Sequence, residues 1–404
     1  LSTDRIAPAA AAAGRLRVAL VTETFPPEIN GVAMTLGRLA DGLVQRGHAV
    51  ALVRPTQAGR RTDAAADETV VPGLPIPGYG GLRFGLPAGR TLADAWQRTR
   101  PDVVHVATEG PLGWSAVRTA RALRLPVSSG FHTNFDAYSR HYGIGWLRRP
   151  IARYLRHLHN GTDLTLVPTQ RLAGELAAQG YRNVQVLSRG VDIRLFNPAR
   201  RSDALRASWG ADPADLVVSY VGRIAAEKNL GLVLSAFDAI KAAVPSARLV
   251  FVGDGPQRKT LAARHPQHIF AGMRCGVDLA AHYASADLFL FPSLTETFGN
   301  VTAEALASGL GVVAYACAAA NDLIEDGTNG RLAAPGDGAA FIEAAVSLAT
   351  HPHELALTRA LAAPSISHLD WEGIHDAFAG WLRRCIATHK RRQHAQDILV
   401  AALD

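Results

Sequence analysis

From Leu16 almost to the end of the chain, short runs of Val, Leu, Ile and Phe alternate with longer amphipathic stretches, and this series occurs twice. That alternation is what a parallel sheet with crossover helices requires, because parallel neighbours cannot be joined by a tight turn and need a helix-length connection. In the first series RVALVTETF, HAVALVRP, DVVHVAT, PVSSGFHT, LTLVPT and VQVLSRG read as strands buried on both faces. The second supplies VVSYVGR, ARLVFVGDG, HIFAGM, DLFLFPS, GVVAYAC and a short NGRLAA. The stretch from Thr56 to Arg90, rich in Gly and Pro, breaks the rhythm and reads as a long surface excursion. No repeat of solenoid length is present.

At 404 residues the chain exceeds the size at which one core stops growing, and its 48% apolar residues can fill two. After Val191 the segment DIRLFNPARRSDALRASWGADPADL lacks a strong apolar period and reads as the connection between units. The expected organisation is a disordered tail over 1–15, one unit over 16–197 and a second over 198–370. Trp371, Ile374, Phe378, Trp381 and Leu382 then fall on one helical face. This helix, about 371–390, is expected to return to the first unit across the junction; the alternative is an ordinary terminal helix on its own domain.

Lys and Arg number 42 against 35 Asp and Glu, a balance that favours anionic partners without choosing among them. The three cysteines, Cys275, Cys317 and Cys385, are widely spaced and form no CxxC or metal-like pattern, which suits a reducing cytoplasm. No run approaches about 18 uninterrupted apolar residues, so membrane contact is expected to be peripheral. A basic stripe interleaved with aromatics, a zinc pattern and a helix-turn-helix are all missing, which argues against nucleic acid as a partner.

The chemistry concentrates in FPSLTETFGNVTAEALASGL, residues 291–310. A strand ends near Ser293, a loop follows, and Asn300 is placed to cap a helix whose N–H groups suit a phosphate. Glu296 on the loop and Glu304 one turn into the helix could accept hydrogen bonds from two hydroxyl-bearing rings of one ligand; the plainer alternative makes one a cap and the other a solvated helix residue. In VGRIAAEKN, Gly222 permits close backbone approach, and Arg223 and Lys228 put two positive charges at the carboxyl edge of the sheet. Two charges suit a diphosphate, although such residues near a strand end are more often surface charges.

The turn TETFPPEINGVAMTL carries Asn30 and Gly31 before a helix opening at about Val32, and Gly31 could bring N–H groups toward an anion. It is not GxGxxG, which counts against a nicotinamide or flavin enzyme. His132, in SSGFHTNFDAYSRHYG, follows a strand and stands at its carboxyl end.

Taken together and in order, HTNF, SRGVD, GRIAAEKN and TETFGNVTAEALASG resemble the large retaining GT-B group of glycosyltransferase family 4. Their wording is most similar to GDP-mannose-dependent α-mannosyltransferases, with UDP-dependent sulfoquinovosyl transferases next. The resemblance runs from about Leu16 to Trp381. It implies an α/β GT-B fold, two Rossmann-like domains whose parallel sheets face a central cleft, and transfer of a hexosyl group to a lipid-linked or glycan acceptor.

It also implies roles. Glu296 would face the donor sugar and Glu304 the ribose, with Phe298, Gly299, Asn300 and Val301 also at the donor. Arg223 and Lys228 would neutralise the leaving diphosphate, Gly31 and Gly222 would lie along the nucleotide, and His132 would stand near the reacting oxygens. SRGVDIRLFNP matches the family's domain-closing stretch, with Arg189 where many relatives carry Asn. With no acidic DxD-like cluster at a strand end, the reading expects no metal and no cofactor.

RRPIARYLRHLH, preceded by Trp146 and Leu147, sets Ile151, Tyr154, Leu155 and Leu158 on one face and Arg149, Arg153 and Arg156 on another. Over 146–159 the chain could rest on the anionic inner face of the plasma membrane, or the apolar face could pack on the sheet. A UDP-sugar-dependent glycolipid transferase, a nucleotide-sugar epimerase or hydrolase on the same scaffold, and a catalytically silent binding protein are the competing readings.

Overall fold

The computed structural model describes residues 14–28, 30–56, 67–75, 83–132, 148–296 and 298–401. The tail over residues 1–13, Trp146, Leu147 and Thr297 lie outside them. The chain folds as two compact units, one from the described residues up to His132, 148–188 and Trp371 onward, the other from Arg189 to Asp370.

The first unit is built on β1 (Arg17–Val21), β2 (Ala49–Pro55), β3 (Glu68–Val71), a hairpin of β4 (Gly73–Pro75) and β5 (Arg83–Gly85), then β6 (Val103–Val106), β7 (Val127–Gly130), β8 (Leu164–Val167) and β9 (Val184–Val186). Its seven-stranded sheet has the order β3-β2-β1-β6-β7-β8-β9 and every pair is parallel. β6, β7 and β8 are buried along their whole length, with the polar His105, Ser128, Ser129 and Thr165 buried among their apolar residues. The 56–90 excursion is corrected in part: Glu68–Val71 joins the sheet as its edge strand, and Gly73–Pro75 pairs antiparallel with Arg83–Gly85. These strands are short and half-buried, so they carry little apolar period.

One face of this sheet is covered by the helix Gly31–Gln45 and by the 31-residue helix Trp371–Ala401, which outlasts its expected end. Ile374, Phe378, Leu382 and Cys385 are buried there with Leu36, Leu39 and Leu43. The two helices approach so closely that a Cβ at Gly42 would lie 2.2 Å from the His375 ring. Arg46 ties them further, through Glu372 at 2.8 Å and Asp376 at 2.6 Å.

The second unit comprises β10 (Val217–Val221), β11 (Arg248–Val252), β12 (Ile269–Gly272), β13 (Leu288–Phe291), β14 (Gly311–Tyr315) and β15 (Arg331–Ala333). The order β12-β11-β10-β13-β14-β15, all parallel, is the doubly wound 3-2-1-4-5-6 arrangement. The strand order reverses between β10 and β13. In sheets of this kind the crevice beyond the carboxyl ends at that reversal is where ligands bind. At the opposite, amino edge a buried carboxylate, Asp287, receives three guanidinium groups: Arg201 at 3.0 Å, Arg206 at 3.1 Å and Arg359 at 3.0 Å.

Among the described residues no helix is long and apolar enough to cross a membrane. The helix Arg148–Asn160 buries Leu155 and Leu158 in the first unit's apolar clusters, with Ile151 and Tyr154 packed beside them. Its apolar face is therefore inside the unit, and Arg149, Arg153 and Arg156 are among the residues it exposes.

Candidate functional site

The reversal point of the second sheet is shaped first by backbone. β10 is followed by Gly222, φ 149°, and β11 by Gly253, φ 132°, a region that L side chains avoid. A Cβ on Gly253 would lie 2.0 Å from the Gly222 carbonyl oxygen, so the two loops nest only because Gly253 carries no side chain. Gly222 N–H donates to Val252 O at 3.0 Å and Ile224 N–H to Asp254 O at 2.9 Å. The buried Tyr220 hydroxyl donates to Arg223 O at 3.0 Å, pinning the turn that follows.

Along that turn the Arg223 guanidinium lies 3.3 Å from the Glu227 carboxylate, and Lys228 closes a single 3-10 turn. Lys228 reaches the loop after β13, where its Nζ donates to Glu296 Oε1. Ser293 Oγ donates to the same oxygen at 2.8 Å. The ammonium and carboxylate keep 13% and 17% of their side-chain surface, so the pair is shielded yet open to a ligand. A carboxylate held by two donors on one oxygen is fixed in direction, and its second oxygen is aimed by the first.

Glu296 is then packed by Gly299, φ 87°, where a Cβ would lie 3.3 Å from Glu296 Cγ. Here one expectation is corrected. Gly299, not Asn300, occupies the cap, and Asn300 is the first residue of the helix Asn300–Ala307. Glycine takes this left-handed backbone without steric cost, and a Cβ there would press on the Glu296 stem. Phe298 is buried, its carbonyl accepting from Ala319 N–H at 2.8 Å, and Val301 packs on the core.

Glu304 lies one turn further on. Its Oε2 accepts from the Tyr283 hydroxyl at 2.9 Å. Burial pushes its carboxyl up to about 7, against the opposing pull of that hydrogen bond, and burial likewise raises the Tyr283 hydroxyl well above its ordinary value. The sequence marks Arg189 only as part of a motif, yet its buried guanidinium lies over the Phe298 ring, 5.8 Å from the centroid, and donates to Asn300 Oδ1 at 3.4 Å. Burial lowers it to about 10 while the Glu296 carboxylate pulls it back up, so it stays charged at neutral pH.

Gly31 and His132 belong to the first unit. Gly31 opens its helix, and Asn30 caps it by accepting from Val32 N–H at 3.1 Å and Ala33 N–H at 2.9 Å. Those two donors are thereby taken. His132 follows β7 and folds over Gly130, where a Cβ would lie 2.5 Å from its Nε2, beside the buried His105. Burial pushes His105 down to about 4, so it is neutral at ordinary pH. Sequence reasoning missed two carboxylates at the reversal point of this sheet, Glu23 after β1 and Glu109 after β6. Burial, with Glu109 nearby, raises Glu23 to about 7 against the pull of the Leu112 N–H. A Cβ on Gly110 would lie 2.0 Å from Glu23, so this glycine makes the room. Among the described residues no three His, Cys, Asp or Glu side chains converge as metal ligands would.

Two parallel doubly wound units, one with paired cations and paired carboxylates at its reversal point, define an α/β protein of the GT-B class. The fold is that of the sucrose-phosphate synthase of Thermosynechococcus elongatus, with a TM-score of 0.73 at 18% identity over 92% of this chain and 100% of that one. Two family models match: Glycosyltransferase Family 4 over residues 29–195 and Glycosyl transferases group 1 over 215–351. A GDP-mannose-dependent alpha-mannosyltransferase of Mycobacterium tuberculosis is 36% identical over 327 residues, 80% of this chain and 85% of the relative. An alpha-monoglucosyldiacylglycerol synthase of Streptococcus pneumoniae is 28% identical, over 78% of this chain and 75% of the relative. The chain belongs to glycosyltransferase family 4 and is a glycosyltransferase.

Proposed function

We propose that this enzyme transfers mannose from GDP-mannose to a lipid-linked or glycan acceptor, with retention of the anomeric configuration and without a metal. The observation that carries the donor site is the single oxygen of Glu296 held by both Lys228 and Ser293, which leaves the other oxygen for a sugar hydroxyl. The mannosyl donor is supported by the relative whose name specifies GDP-mannose, and the lipid acceptor by the relative named for a diacylglycerol product.

In this reading the second unit, Arg189 to Asp370, takes the donor. The nucleotide lies along Gly222 and the start of the helix Asn300–Ala307, with Phe298, Gly299 and Val301 shaping the turn and Glu304 accepting from the ribose hydroxyls. Arg223 and Lys228 oppose the charge that grows on the departing diphosphate as the anomeric C–O bond breaks. The new C–O bond forms on the same face, and the acceptor proton passes to the leaving phosphate oxygen. The first unit takes the acceptor, with His132 positioning its hydroxyl and Gly31 near the phosphates. The exposed Arg149, Arg153 and Arg156 would bring it to an anionic cytoplasmic membrane face by charge alone, since the apolar face of their helix is buried.

A glucosyl donor is the second reading, favoured by the monoglucosyl relative. Thermal stabilisation by GDP, UDP and ADP, titrated with a chelator present, separates the two, because a ligand of the folded state raises its apparent stability. A selective response to GDP supports the mannosyl donor and one to UDP the glucosyl donor. No response to any of them removes the donor site. Glu296→Ala should lower turnover by about 10²-fold with the fold kept; normal turnover refutes its role. Release of free sugar or a changed nucleotide-sugar, with every acceptor inactive, would make the enzyme a hydrolase or epimerase.

A further inference from the structure

Arg189 is buried to 6% exposure, and a guanidinium is costly to take out of water unless its surroundings compensate. Its place is specific. The guanidinium lies over the Phe298 ring and bonds to Asn300, the residues on either side of Gly299, and Gly299 is the residue packed on the Glu296 side chain. A planar group can stack on a ring and donate in its own plane at once, which an ammonium cannot do.

We propose that Arg189 is a positioning residue for the sugar-facing carboxylate: by clamping Phe298 and Asn300 it fixes the Gly299 turn, and through that turn the direction of Glu296. The clamp bears more on the donor sugar than on the nucleotide, because it touches the turn beside Glu296 while Glu304 is held separately by Tyr283. The Ser293 and Lys228 bonds anchor one end of the carboxylate, and the Gly299 contact limits the swing of its stem. This inference rests on the donor-site reading above.

The test uses GDP release from GDP-mannose in water, or UDP release from UDP-glucose if UDP is the nucleotide that stabilises the protein. Arg189→Met should lower turnover about 10-fold, within the range for a misplaced group, with a clearly smaller effect on the affinity for the free nucleotide. In a Glu296→Gln background the same change should add little, since the group it positions is already altered. Arg189→Lys should not rescue, because it restores charge without the plane. An equal loss in both backgrounds, full rescue by lysine, or a matching fall in free-nucleotide affinity overturns the proposal. Phe298→Leu, which keeps an apolar side chain and removes the ring face, should show the same dependence on Glu296 and decides the matter if the arginine variants fail to fold. Loss of nucleotide binding by the wild type, or normal turnover of the Glu296 variant, would instead refute the underlying donor-site reading.

Discussion

Replacing Glu304 by Gln should make the protein more stable at neutral pH and leave it nearly unchanged in acid. The carboxyl stands at about 7 in the folded protein against an ordinary 4.5, because burial penalises its charged form. A raised carboxyl binds its proton more tightly when folded, so the folded state loses stability as pH rises from 4.5 toward 7, and the loss is complete above. With about 1.4 kcal/mol for each unit of displacement, the penalty is about 1 kcal/mol at pH 5 and about 3 kcal/mol at pH 7, and changes little beyond. Glutamine keeps an oxygen for the Tyr283 hydroxyl but has nothing to ionise. Urea denaturation of both proteins at pH 5, 6, 7 and 8, following the transition that the substitution moves, should therefore show a gap in favour of the variant that opens with pH. A gap constant across that range would mean that the carboxyl is not held protonated by its surroundings. A gap that closes with rising pH would mean that the folded state favours the charged form.

Three further outcomes follow from packing. Asp287→Ala leaves Arg206, 1% exposed, and its two companions without their carboxylate, and should cost about 3–5 kcal/mol in denaturant titration; a change below 1 kcal/mol would show that the arginines are satisfied by backbone carbonyls alone. Gly253→Ala sets a Cβ 2.0 Å from Gly222 O at a φ of 132°, and should cost about 2 kcal/mol or more and weaken nucleotide binding with it; wild-type binding and stability would refute the nested-loop account. Ala318 sits at φ 48°, so Ala318→Gly should raise stability by about 1 kcal/mol, read as a higher melting temperature; a lower one would mean that the alanine side chain contributes packing that outweighs its backbone cost.

Much of the frame could be read from sequence because strands buried on both faces spell themselves out. DLFLFPS holds a continuous apolar run and VVSYVGR one broken only by Ser219, and the residues past them, Glu296 and Lys228, meet in the structure. The edge strand Glu68–Val71 could not be read so, since four half-buried residues without alternation look like loop. Asn300 was expected at the cap because its side chain favours that position, but close packing against Glu296 put the glycine there instead. Glu23 and Glu109 gave no sign, as their burial comes from neighbours distant in sequence, Leu112 and the loop at Gly85 for the one and His159 for the other. The clamp of Arg189 is likewise a tertiary fact, made across more than a hundred residues of intervening chain.

The second unit begins and ends at one place. Val191 N–H donates to Leu369 O at 2.9 Å, and Val191 pairs with Asp370, so the entering and leaving strands are stitched together. A segment whose ends are joined in this way is a self-contained cassette, while the unit around it is split and keeps its core only if the distant helix comes home. The two halves should therefore answer differently to the scissors. Excising 189–370 as a free-standing gene should yield a soluble, folded piece, whereas stopping the chain at Asp370 strips Ile374, Phe378 and Leu382 from the other half and should leave the cassette as the part that survives protease.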